Sequence, residues 1–82
     1  MNKFFSIRNK LNEFKWNSKY NINDVKIEYV NRGSTNNVAI LSGNDILSIE
    51  SWYITLAESV IPYHRITKIY YKNKIIFDRD KL

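Results

Sequence analysis

Eighty-two residues, with thirteen Lys and Arg against eight Asp and Glu, carry a formal net charge of +5, and this length holds one domain, residues 1–82. With 44% hydrophobic and 26% charged residues, the chain reads as globular rather than disordered. The sequence has no cysteine, which excludes disulfides, thiolate metal sites and cysteine nucleophiles, and a reducing cytoplasm is the expected location.

In chain order, the opening run MNKFFSIRNKLNEF is broken by charges every few residues. It has the pattern of neither a signal peptide nor a membrane span, and no apolar run approaches the ~20 residues a span needs. Phe4, Ile7, Leu11 and Phe14 recur at steps of three and four, which predicts a helix over 3–14 with Asn2 as N-cap, ending near Trp16. Its aromatic stripe is read as core. VKIEYV (Val25 to Val30) alternates, with Val25, Ile27 and Tyr29 on one face, and predicts a strand. NRGSTNN is a polar turn, VAIL a short buried run and SGND another turn. ILSIE and WYITL follow as strands, with Trp52, Ile54 and Leu56 sharing a face. SVIPYHRITKIYY (Ser59 to Tyr71) reads as one long strand, KNK as a tight turn and KIIFD as a last strand. The expected class is α+β: one N-terminal helix on an antiparallel sheet of about five or six strands, with the second sheet face partly open.

The charge surplus creates a positive field that favours anionic partners, nucleic acid first among them. Catalysis has little to work with. His64 is the sole histidine; no serine lies in a nucleophile-elbow pattern, no phosphate-cradling or dinucleotide loop occurs, and one histidine cannot build a zinc site. The expectation is a non-enzyme without cofactor or metal. Arg32 beside Gly33 offers a guanidinium fork next to a backbone N–H, suited to a phosphate oxygen, or else is a solvated turn arginine. On a regular strand His64 and Arg65 would point to opposite faces. His64 is then either a half-buried histidine donating to a backbone carbonyl or part of a polar site. Tyr63, Tyr70 and Tyr71 stand among Arg65, Lys68, Lys72 and Lys74, a mixture that suits stacking of unpaired bases as well as plain strand propensity. Pro62 removes a backbone donor and belongs at a sheet edge, a strand start or a bulge; a bulge would let His64 and Arg65 reach one side.

IPYHRI (Ile61 to Ile66), together with IRNKLNEFKW, IEYVNRG, SGNDILSIE and NKIIFDR, resembles over nearly the whole chain a small, mostly archaeal, uncharacterised family proposed as the RNA cyclic group end recognition domain. STNNVAIL replaces a charged, proline-containing segment common in that family. The resemblance implies an RNA-binding module that recognises ends bearing 2′,3′-cyclic phosphate in RNA processing or repair. It singles out Arg32, Tyr63, His64 and Arg65, with Asp45 structural. In this reading Arg32 and Arg65 clamp the phosphate, His64 donates to an oxygen, Tyr63 or Trp16 stacks on the terminal base, and Lys68 adds charge. The alternatives are an RNA-end phosphodiesterase centred on His64 and a protein-interaction module using the sheet edge or the tyrosine-rich face.

Overall fold

The computed structural model of the protein describes residues 3–33 and 35–81. Helix α1, Lys3–Trp16, buries Ile7, Leu11 and Phe14, so the three- and four-residue spacing does build one core-facing stripe. The Asn2 cap and the Phe4 side chain lie outside the described residues. Seven short strands follow: β1 (Val25–Val30), β2 (Val38–Ser42), β3 (Ser48–Ile49), β4 (Tyr53–Thr55), β5 (Val60–Pro62), β6 (Ile66–Tyr71) and β7 (Lys74–Asp78). They form two antiparallel sheets, a four-stranded one in the order β2-β1-β6-β7 and a three-stranded one in the order β3-β4-β5. The class is α+β as expected, with seven strands in two sheets in place of five or six in one. No helix among the described residues is long and apolar enough to cross a membrane.

Register explains the core. Ile27 on β1 stands opposite Leu41 on β2 and Ile69 on β6, and Ile69 stands opposite Phe77 on β7. All four are buried, so one row of side chains crosses the whole larger sheet on its inner face. Phe14 of the helix stacks on Tyr71 at 4.7 Å between ring centroids and 20° between planes, with Tyr20 edge-on to both rings. Offset and edge-on pairs of this kind hold the end of α1 to the sheet. Tyr71 is thereby committed to packing and is not the surface stacking ring that its basic neighbours suggested. Ile54 and Ile61 of the smaller sheet join the same buried cluster.

The largest departure from the sequence reading lies between Ser59 and Tyr71. There is no single long strand. β5 ends at Pro62, residues Tyr63–Arg65 form one 3-10 turn, and β6 begins at Ile66 in the other sheet. Pro62 sits on an edge strand of the smaller sheet, where its missing N–H leaves no ladder bond unmade, and its φ of −64° and ψ of 147° aim the chain into the turn. Two smaller differences accompany this. Within VAIL, only Leu41 is buried, and Ile40 is 62% exposed, because β2 is an edge strand with one face outward. Trp52 precedes β4 in a bend rather than sharing the Ile54 face, and is 61% exposed.

Two turns are fixed by particular residues. Lys72 and Asn73 have φ of 51° and 69°, the paired left-handed conformation of a two-residue hairpin loop, which Asn tolerates well. At Gly43–Asp45 the Ser42 hydroxyl accepts from the Asn44 N–H at 3.2 Å, and the Asp45 carboxylate accepts from the Ser42 N–H. This reciprocal cap gives Asp45 its structural part.

A basic cleft at the corner between two sheets

The 3-10 turn is what places the site. At three residues per turn, successive side chains fan out by about 120° rather than alternating. Tyr63 therefore points into the core, where it is 1% exposed, while His64 and Arg65 are both exposed. The alternation that would have separated the two does not apply, and no bulge at Pro62 is needed to bring them to one side. The turn is held at several points. The Ile66 N–H donates to the Tyr63 carbonyl, the Tyr63 N–H donates to the Trp52 carbonyl at 3.0 Å, and the Arg79 guanidinium donates from Nη1 to the His64 carbonyl at 2.7 Å. That last bond is charge-assisted and fixes the backbone directly under the imidazole.

The second wall comes from the end of β1. Val30, Asn31 and Arg32 leave the strand beside the 3-10 turn, and with His64 and Arg65 they line one cleft of about 530 Å³. This volume is that of a small-ligand site. The loop is closed at its base by the Asn31 N–H donating to the Asn37 carbonyl at 2.8 Å. Gly33, at φ +95°, turns the chain away just after Arg32 through a backbone conformation that side chains disfavour. Among the described residues no carboxylate forms an ion pair with Arg32, His64 or Arg65. The cleft is therefore lined by two arginines, a histidine and Asn31 beside one apolar residue, Val30. Chemically it can take a phosphate-sized anion: forked donors from arginine, a further N–H from histidine, and an apolar surface for a ribose edge.

Arg32, His64 and Arg65 are thus brought together, and the other three candidates are not. Tyr63 is core, so it cannot stack on a base. Its hydroxyl donates to the Glu50 carbonyl, and burial, opposed by nearby Arg8 and assisted by Glu50, pushes the phenol up to about 12. Since the folded phenol titrates above its ordinary value near 10, the stability it contributes is complete below pH ~10 and is lost as pH rises towards 12. Chemical denaturation at a series of pH values should show that fall, worth up to about 2–3 kcal/mol; in Tyr63→Phe it should flatten, and an unchanged slope would contradict the assignment. Trp16 ends α1 and is 75% exposed. The neighbouring Lys15 is tied to the carbonyls of Ile46 and Leu47 at 3.3 and 3.0 Å, and Trp16 does not line the cleft. Lys68 lies 3.6 Å from the Glu28 carboxylate, which raises its ammonium above the usual lysine value; it serves a strand-to-strand pair on the larger sheet.

Two residues escaped the sequence reading. Arg79 was seen only as the end of a hairpin, and nothing local in FDR signals that its side chain reaches back fifteen positions. Alternation expects Trp52 to share a face with Ile54 and Leu56. Its exposed indole belongs to the residue whose carbonyl receives the Tyr63 N–H, so the fold sets an uncovered aromatic residue beside the 3-10 turn.

Comparison with known proteins identifies relatives of the chain. Residues 4–79 match the family model described as the MJ1316 RNA cyclic group end recognition domain. Two UPF0248 proteins of Methanococcus maripaludis, from strains C5 and C7, are 32% and 30% identical over 63 residues, covering 77% of this chain and 82% of each relative. No solved structure matches at a significant level. The matched span contains every residue that builds the cleft and its Arg79 support, and the chain belongs to the MJ1316 RNA cyclic group end recognition domain family.

Proposed function

We propose that the corner cleft binds the phosphate-bearing end of an RNA strand, a 2′,3′-cyclic phosphate above all, and that the protein is a binding module rather than an enzyme. The observation that carries this reading is the convergence of Arg32, His64 and Arg65, from two separate segments, on one open cleft. The family description, which names RNA cyclic group ends, and the net charge of +5 support the same partner. Arg32 and Arg65 grip the non-bridging oxygens, His64 donates to a third oxygen and Val30 lies against the ribose. A cyclic phosphate is a diester with a single charge, so two guanidinium groups suffice without metal. His64 is the only histidine of the chain, so a hydrolytic mechanism that shares acid and base duties between two imidazoles is not available to it.

The test compares three oligonucleotides of one sequence ending in 3′-hydroxyl, linear phosphate or 2′,3′-cyclic phosphate, by fluorescence anisotropy at fixed salt. The cyclic end should bind roughly ten-fold or more tightly than the hydroxyl end, the value of one charge-assisted contact set. Equal affinity for all three would reject end recognition. Recovery of an opened phosphate after incubation, abolished in His64→Ala, would replace the binding module with a phosphodiesterase.

A further inference from the structure

The outer face of the larger sheet carries a second concavity, away from the corner cleft. Lys26 on β1, Ile40 on β2, Tyr70 on β6 and Asn73 in the hairpin loop line a cleft of about 340 Å³. Register accounts for it. Lys26 stands directly opposite Tyr70, and a bulge between Ile69 and Tyr70 shifts the pairing with β7 so that Tyr70 faces Ile75. Bulges re-aim side chains in this way. Ile40 is 62% and Ile75 52% exposed, so Tyr70 lies in an apolar, uncovered neighbourhood on the side of the sheet that α1 does not occupy. Lys26 is exposed and has no ion-pair partner among the described residues. Lys72 and Lys74 flank Asn73 in sequence, and the Asp24 carbonyl accepts the Lys72 N–H; Asp24 and Glu28 are the acidic residues two positions either side of Lys26.

Both clefts are built on the same strand. Alternation puts Lys26, Glu28 and Val30 on one face of β1, with Val30 in the corner cleft and Lys26 in this one. Between them, Glu28 is bound by the Thr67 hydroxyl and by Lys68, so that acid is neutralised in place, and Asp78 faces Lys68 from β7. One ammonium faces two carboxylates there, so the middle of the path keeps about one negative charge, whereas each end of the path is basic. An apolar aromatic cleft next to an unpaired lysine suits a nucleobase with its neighbouring phosphate.

We propose that the Lys26–Ile40–Tyr70–Asn73 cleft is a second nucleotide subsite, in which Tyr70 and Ile40 receive the face of an upstream base and Lys26 its phosphate, on the same RNA strand whose end lies at Arg32, His64 and Arg65. The inference rests on the proposed end-binding reading for its direction along the sheet. Four residues of strand separate Lys26 from Val30, about 13 Å, so the subsite receives a base about four positions from the end if the strand is stacked at roughly 3.4 Å per nucleotide, and fewer if it is extended.

The experiment measures affinity for a dinucleotide and a hexanucleotide, each with either a cyclic-phosphate or a hydroxyl end. In the wild-type protein, lengthening should gain roughly ten-fold, one stacked base with its phosphate. Tyr70→Thr, which keeps strand propensity, and Lys26→Glu, at an exposed position, should each erase most of that gain while leaving the cyclic-over-hydroxyl preference intact. Retention of the full gain in both variants overturns the subsite. The two readings fail separately: loss of end preference with the gain intact rejects the end site, and loss of the gain with end preference intact in the wild-type protein rejects the subsite. A folded thermal transition in Lys26→Glu keeps the comparison valid if Tyr70→Thr does not fold.

Discussion

Arg32→Ala is expected to weaken binding of an oligonucleotide with a 2′,3′-cyclic phosphate by roughly ten-fold, about 1.4 kcal/mol, while leaving affinity for the hydroxyl-ended strand nearly unchanged. The selectivity of the effect follows from position. Arg32 is exposed at the mouth of the loop after β1 and packs against nothing in the core, so its removal costs little stability. Its contribution is the fork of N–H donors that it adds to the cleft shared with His64 and Arg65. Arg32→Lys keeps the charge but not the planar fork and should recover only part of the loss. Anisotropy titrations with both oligonucleotides at one salt concentration make the comparison. A uniform loss across both ends would identify Arg32 as a general backbone contact, whose signature is a reduced salt slope rather than a changed end preference.

Gly43→Ala should be the most damaging small substitution for stability. A Cβ built there meets the Ile22 carbonyl oxygen at 2.5 Å and the Val25 Cβ at 2.9 Å. Neither obstacle is the free end of a flexible side chain. One is backbone in the turn before β1, and the other is attached to a fully buried core residue. Relief would require the Ser42–Asp45 cap to move away from the start of β1, opening the close approach between these turns. The cost is set by overpacking, about 3 kcal/mol, and in a chain of this size it should lower the midpoint of thermal unfolding by roughly 15 °C. Gly33→Ala is the control. That glycine has φ +95° but open space around it, so its cost is conformational alone, about 1 kcal/mol. Equal midpoints for the two variants would show that the turn around Gly43 yields, and that its tight packing is not a constraint.

How far the sequence disclosed this structure depended on whether a feature was periodic. The helix was legible because Ile7, Leu11 and Phe14 repeat at helical spacing, and β1 because Val25 and Ile27 alternate with Lys26 and Glu28. The hairpin at Lys72–Asn73 was legible from composition and length. The 3-10 turn at Tyr63–Arg65 was not, since three residues are too few to establish a period, and the flanking apolar residues continue the appearance of a strand. Pro62 marked the place without stating what happened there. That one turn decides the site. It sends Tyr63 inward, where a phenol of that size fills the core and bonds the Glu50 carbonyl, and it sends His64 and Arg65 outward together. Residue type identified Arg32, His64 and Arg65 as chemically capable, but only the corner between the two sheets brings them to one cleft. Arg79 was invisible for a different reason, because its bond to the His64 carbonyl joins positions whose proximity depends on the β6–β7 pairing.

The account stands on one anion site shared by the loop after β1 and the turn before β6. A nuclear magnetic resonance titration of the uniformly labelled protein with a nucleoside 2′,3′-cyclic monophosphate addresses it most directly. Saturable shifts should appear at the Asn31, Arg32, His64 and Arg65 amides and at the His64 ring, all fitting one dissociation constant and all absent in Arg32→Ala. Shifts confined to other surfaces, or small unsaturable changes scattered over every lysine and arginine, would contradict it.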